Sequence, residues 1–128
     1  MIVGIGTDVV SIERIAGVLE RHGERFVKRV LSPSERGRFE RTNTRLKANH
    51  LAKRWAAKEA FSKAIGSGIH APFTWHSISL GRDPSGKPLV VPNEAMSVYL
   101  TSLGVTRSHV SLTDDAGVAV AFVVLEGQ

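Results

Sequence analysis

The chain has 128 residues and a mass of 13.9 kDa, the length of one domain and enough to close its own hydrophobic core. With 42% hydrophobic and 23% charged residues and no cysteine, it excludes a disordered tail, a fibre, a disulfide scaffold, a thiol nucleophile and any cysteine-held metal centre. The net charge of +5 is uneven: residues 1–63 carry +7 and residues 64–128 carry −2, so the basic half points to an anionic partner.

Ile2 to Thr7 is a short, β-branched apolar run that predicts a buried strand ended by Asp8. It has no cationic leader, so it reads as a first strand rather than a signal peptide. No apolar run approaches the roughly 18 residues of a membrane helix, and the lack of cysteine fits a reducing cytoplasm. Ser11 is the expected N-cap of a helix beginning near Ile12. Ile12, Ile15, Leu19, Phe26 and Val30 fall on one side of that helix, and Arg14, Arg21, Arg25 and Lys28 on the other, with Gly23 as a break. Ser32 and Pro33 mark a stop and restart, giving a short charged helix through Phe39. After the turn Thr42-Asn43-Thr44 comes the longest helical pattern, Arg45 to Ile65, which Gly66-Ser67-Gly68 terminates.

The period then changes. Strands are predicted near residues 77–80 and 89–91 around the turn Asp83-Pro84-Ser85-Gly86, then a helix from Glu94 to Leu103 closed by Gly104. Two strands follow, His109 to Thr113 and Val118 to Leu125, the second read as buried on both faces. The whole is α+β: a small, largely antiparallel sheet packed with one long and several short helices, in a single domain over residues 1–128.

Few residues carry chemistry. Gly4-Ile5-Gly6 is no dinucleotide fingerprint, since Val9 stands where a third glycine is required, and there is no Walker A loop. The two glycines read as close backbone packing. Asp8, read locally, caps a turn or coordinates a hard cation. Glu59 and Lys63 share a helix face, and also the stripe of Ala52 and Ala56, which faces protein rather than water. Read locally, the two form either a solvated Glu-to-Lys pair or, because a carboxylate and a lysine are costly on a stripe that faces protein, a site for a metal or an anion. Asp8 with Glu59 would give Mg²⁺ two oxygen ligands, and Lys63 would neutralise a phosphate oxygen. His22, His50, His70, His76 and His109 show no zinc spacing. Trp55 and Trp75 read as core. At 6% aromatic residues and with no RNA-binding or helix-turn-helix pattern, a nucleic-acid partner is not expected.

Several blocks taken together resemble one family. They are Gly4-Ile5-Gly6-Thr7-Asp8, Ser11-Ile12-Glu13-Arg14, the run from Arg54 to Ala64 (Arg-Trp-Ala-Ala-Lys-Glu-Ala-Phe-Ser-Lys-Ala), Gly86-Lys87-Pro88 and His109-Val110-Ser111-Leu112. In this order they resemble the 4′-phosphopantetheinyl transferase superfamily, in its small bacterial holo-[acyl-carrier-protein] synthase branch. The resemblance runs from Met1 to about Val124 and implies that fold. It also implies transfer of the phosphopantetheine arm of coenzyme A to a serine of apo acyl carrier protein, in fatty acid biosynthesis, with release of adenosine 3′,5′-bisphosphate. By the same likeness Asp8 and Glu59 hold Mg²⁺ and Lys63 neutralises the pyrophosphate. Arg54, Gly86, Lys87, Pro88 and His109 lie near the nucleotide, and Arg14, Arg21 and Arg25 receive the acidic carrier. A cytoplasmic homotrimer with active sites at its subunit interfaces is also implied. Asp114 and Asp115 stand where many relatives carry a histidine.

Overall fold

A computed structural model describes all residues, Met1–Gln128. Strand β1 (Ile2–Ser11) leads into helices α1 (Ile12–His22), α2 (Glu24–Val30) and α3 (Pro33–Arg41), then a 3₁₀ turn (Thr44–Leu46) and the long helix α4 (Lys47–Ile65). The ribbon β2 (Ile78–Arg82) and β3 (Pro88–Pro92), helix α5 (Glu94–Ser102) and the hairpin β4 (Val105–Asp115) and β5 (Val118–Gly127) complete the chain. Both sheets are antiparallel, one with order β1-β5-β4 and the other β2-β3.

Local chemistry sets most boundaries. The Ser11 hydroxyl accepts the Arg14 amide at 3.1 Å and starts α1. Gly23, at φ 54°, divides α1 from α2. Pro33 opens α3, and Glu35 reaches back to accept the Ser32 amide at 2.8 Å. Gly66 closes α4 in the left-handed region, at φ 87°.

The core lies between α4 and the three-stranded sheet. Ala119, Ala121, Val123 and Leu125 of β5 are fully buried against Leu51, Ala52, Ala56, Ala60 and Phe61 of α4. Two expectations are corrected. β1 does not stop at Asp8: Val9 and Val10 pair with Val120 and Ala119, so the strand runs on to Ser11. β5 is not buried on both faces. Its residues alternate, and the outer face leaves Phe122 46%, Ile5 61% and Val9 62% exposed.

Candidate active site

The seam between β1 and α4 is tight because β1 carries glycine there. A Cβ on Gly4 would overlap the Ala64 carbonyl oxygen, and one on Gly6 would overlap that of Ala60. The backbones therefore approach closely, as the sequence reading of these glycines requires. That approach brings Asp8, two residues beyond Gly6, to the α4 face bearing Glu59 and Lys63. The Lys63 ammonium donates to the Thr7 carbonyl at 3.1 Å and to Asp8 Oδ1 at 3.2 Å. Burial first, then the charge of Asp8, raises the Glu59 carboxyl above its ordinary range, while Lys63 and Arg14 oppose the rise.

Two carboxylates crowd each other here and Lys63 compensates them only partly. No third acidic or histidine ligand joins them. This oxygen-only pair fits Mg²⁺, which completes its shell with water and substrate oxygens, better than it fits zinc.

A second feature is cationic. Lys53, Arg54, Arg82, Pro88 and Leu112 line a cavity of about 150 Å³ with no carboxylate on its wall. Arg54 is only 3% exposed and forms no ion pair. Burial lowers its pKa to about 10; Glu35 opposes that shift and the charges of Arg82 and Arg38 add to it. Of the residues expected near a nucleotide, Arg54 and Pro88 meet at this cavity. Gly86 and Lys87 are exposed in the β2–β3 turn, where Asp83 accepts the Lys87 amide at 3.0 Å. His109 is outside the lining and pairs with Glu126 at 3.0 Å.

A third feature is a groove of about 340 Å³ beside α1 and α2, with Arg14, Arg25 and Arg29 around a floor that includes Phe26, Trp55 and Trp75. The tryptophans are half-buried, their rings 4.4 Å apart: they pack against the core, as expected, and their remaining surface lines this groove. Arg21 is not in this groove; it lies on an adjoining face with Glu13 and Glu20. Lys28 pairs with Glu24 at 3.5 Å. Arg14 lines both surfaces, and the break at Gly23 sets where Arg25 of α2 falls relative to the two arginines of α1.

Sequence reasoning missed Lys58. Its ammonium is fully buried and donates to Glu35 Oε1 at 2.6 Å, to the Val30 carbonyl at 2.6 Å and to the Trp75 carbonyl at 2.7 Å. The available signal was the Ser32-to-Glu35 capping spacing, since Glu35 also accepts the Leu80 amide at 2.9 Å and so clamps α3 and β2 to α4. Lys53 and Arg82 were likewise not singled out.

The profile of the 4′-phosphopantetheinyl transferase superfamily matches residues 4–123. The chain is 46% identical to a holo-[acyl-carrier-protein] synthase of Herminiimonas arsenicoxydans over 98% of each chain. Its structure superimposes on the crystal structure of the Neisseria meningitidis holo-[acyl-carrier-protein] synthase with a TM-score of 0.93 at 41% identity, covering 98% of this chain and 99% of that one. The Bacillus anthracis synthase, in complex with CoA (3′,5′-ADP), matches with a TM-score of 0.84 at 33% identity, covering 100% and 99%.

Proposed function

The chain belongs to the 4′-phosphopantetheinyl transferase superfamily, and from that premise we propose that it transfers the 4′-phosphopantetheine group of coenzyme A to a serine of apo acyl carrier protein, releasing adenosine 3′,5′-bisphosphate. The observation that carries this reading is the meeting of Asp8, Glu59 and Lys63 across one seam. Asp8 and Glu59 would hold Mg²⁺, which would supply charge neutralisation to the coenzyme's pyrophosphate. Lys63, half in water and held only at Thr7 and Asp8, offers its remaining donor capacity to a phosphate oxygen. The carrier serine attacks the β-phosphorus, its P–O bond to the bisphosphate nucleotide breaks, and the nucleotide leaves with the electron pair. The serine proton passes to Glu59 or to a water at the site. The cationic cavity around Arg54 takes an anionic part of the nucleotide.

The groove with Arg14 and Arg25 docks the acidic carrier, its apolar floor receiving the carrier's apolar side chains; Arg21 extends the basic surface beside it. The exposed apolar face of Ile5, Val9 and Phe122 supports a protein partner on that sheet, and the family resemblance supports that the partner is this chain itself, in a homotrimer. No helix is long and apolar enough to cross a membrane. With coenzyme A and a carrier as substrates, the reaction belongs to the cytoplasm and to fatty acid biosynthesis.

The test is intact-mass spectrometry of apo acyl carrier protein incubated with the enzyme, coenzyme A and Mg²⁺. The carrier gains one phosphopantetheine; EDTA or Asp8→Ala abolishes the gain. An unmodified carrier with folded wild-type enzyme rejects the reading.

A further inference from the structure

Asp114 does not line the cationic cavity but pairs with Lys53, which does, and it lines a neighbouring cleft with Asn49. It lies near the end of β4 on the same strand face as Leu112, which lines the cationic cavity. Both of its oxygens are used. Oδ2 accepts from the Asn49 side chain at 3.1 Å, and Oδ1 faces the Lys53 ammonium at 3.4 Å. Asn49 and Lys53 are one helical turn apart on α4, so a single carboxylate holds two successive side chains of that helix. The next residue, Arg54, buried and without an ion pair, lines the same cavity. Of the three cations on the cavity wall, Lys53, Arg54 and Arg82, Lys53 alone has an acidic partner.

We propose that Asp114 is an affinity-limiting residue for the coenzyme's anionic nucleotide: it holds and partly neutralises Lys53, so the cavity presents two free cations rather than three. This rests on the reading of the cavity as the nucleotide site. The chemical reason for such restraint is turnover. The bisphosphate nucleotide is a product and must leave, and binding that is equally strong before and after transfer does nothing for the chemical step. Asp114 acts through Lys53 and touches no reacting atom.

The experiment is calorimetric titration of adenosine 3′,5′-bisphosphate into the wild-type protein, Asp114→Asn, Lys53→Gln and the double variant, at two salt concentrations. Asp114→Asn keeps an oxygen for the Asn49 side chain and removes the charge that holds Lys53. It should tighten the nucleotide about three- to fivefold, the scale of one partly exposed ion pair, with a steeper salt dependence. Lys53→Gln should weaken binding, and adding Asp114→Asn to it should then change nothing. A role in folding alone would leave the affinity of the folded protein unmoved and would not produce a gain. Unchanged or weaker binding in Asp114→Asn, or the same gain in the Lys53→Gln background, overturns the proposal. Failure of the wild type to bind the nucleotide at all overturns the nucleotide reading of the cavity as well.

Discussion

Lys58 and Lys63 stand five residues apart on α4, about 140° around the helix from each other, and they are opposites. Lys58 has every proton of its ammonium placed, on Glu35, Val30 and Trp75, all within 2.7 Å. Its partner Glu35 is saturated in turn by the Ser32 and Leu80 amides. Burial pulls the Lys58 pKa down and Glu35 pulls it back up. Lys63 has two acceptors, at 3.1 and 3.2 Å, and its side chain is half in water. A buried lysine with no spare donor can only hold the fold. An open lysine with longer contacts, beside two crowded carboxylates, has capacity left for a ligand. The comparison teaches that saturation of donors, rather than the presence of an ion pair, separates the structural lysine from the working one.

Removing each lysine should therefore break different things. Lys58→Met leaves Glu35 charged and buried without its partner, and it should cost about 3–5 kcal/mol of stability, read as a lowered urea midpoint with the slope unchanged. A loss under about 1 kcal/mol would mean that the clamp is not what holds α3 and β2 to α4. Lys63→Met should do the reverse: stability changes by less than about 1 kcal/mol while transfer falls about a hundredfold, the scale of one lost charge-stabilising donor. Single-turnover transfer beside a urea curve on the same sample separates the two effects. Gly6→Ala sharpens the contrast from the backbone side. Its methyl would strike the Ala60 carbonyl and lie within 2.8 Å of the Ala64 nitrogen, so β1 and α4 must part. A cost of about 1–3 kcal/mol is expected, together with lost transfer, because Asp8 then moves away from Glu59 and Lys63. Full activity in Gly6→Ala would show that the seam does not set the site's geometry.

These contrasts also explain what the sequence could and could not reveal. Ser11, Gly23, the Ser32-Pro33 restart and Gly66 were legible because caps and breaks are decided within one turn of chain. The end of β1 was not. Asp8 is a poor strand residue by local preference, and only pairing with β5, more than a hundred residues away, keeps the chain extended to Ser11. Lys58 was invisible for the same reason, because its partner Glu35 lies 23 residues earlier and a lysine in an alanine-rich helix reads as solvated. Phe122 erred the other way: a continuous apolar strand looks buried on both faces, yet one chain covers only one face of it. Asp8, Glu59 and Lys63 were legible from residue type and helical spacing as two oxygen ligands and a phosphate-neutralising cation, and the blocks that resemble the transferase superfamily set that reading above a turn cap and a solvated ion pair; where Arg25 falls relative to Arg14 and Arg21 was not legible, because it depends on the break at Gly23.

His50, in the second turn of α4, gives the smallest expected effect and extends the comparison to a third basic side chain of that helix. Its Nε2 is buried without a hydrogen-bond partner, and its ring packs 6.0 Å from that of Phe39. Burial first, then the charges of Arg54, Lys53, Arg38 and Arg82, lowers its pKa to about 3. The ordinary value for the unfolded chain is 6.5, so between these values the unfolded state binds the proton that the folded state refuses. Stability from this site is therefore complete above pH 6.5 and is lost as the pH falls toward 3. Lys58 meets the same desolvation with a carboxylate; His50 meets it by staying neutral. His50→Gln cannot take up a proton, so the stability it loses between pH 7 and pH 5 should be smaller than the wild type's, as read from urea midpoints at both values. Equal losses in the two proteins would mean that His50 is protonated in the folded state, and that the four surrounding cations do not reach it.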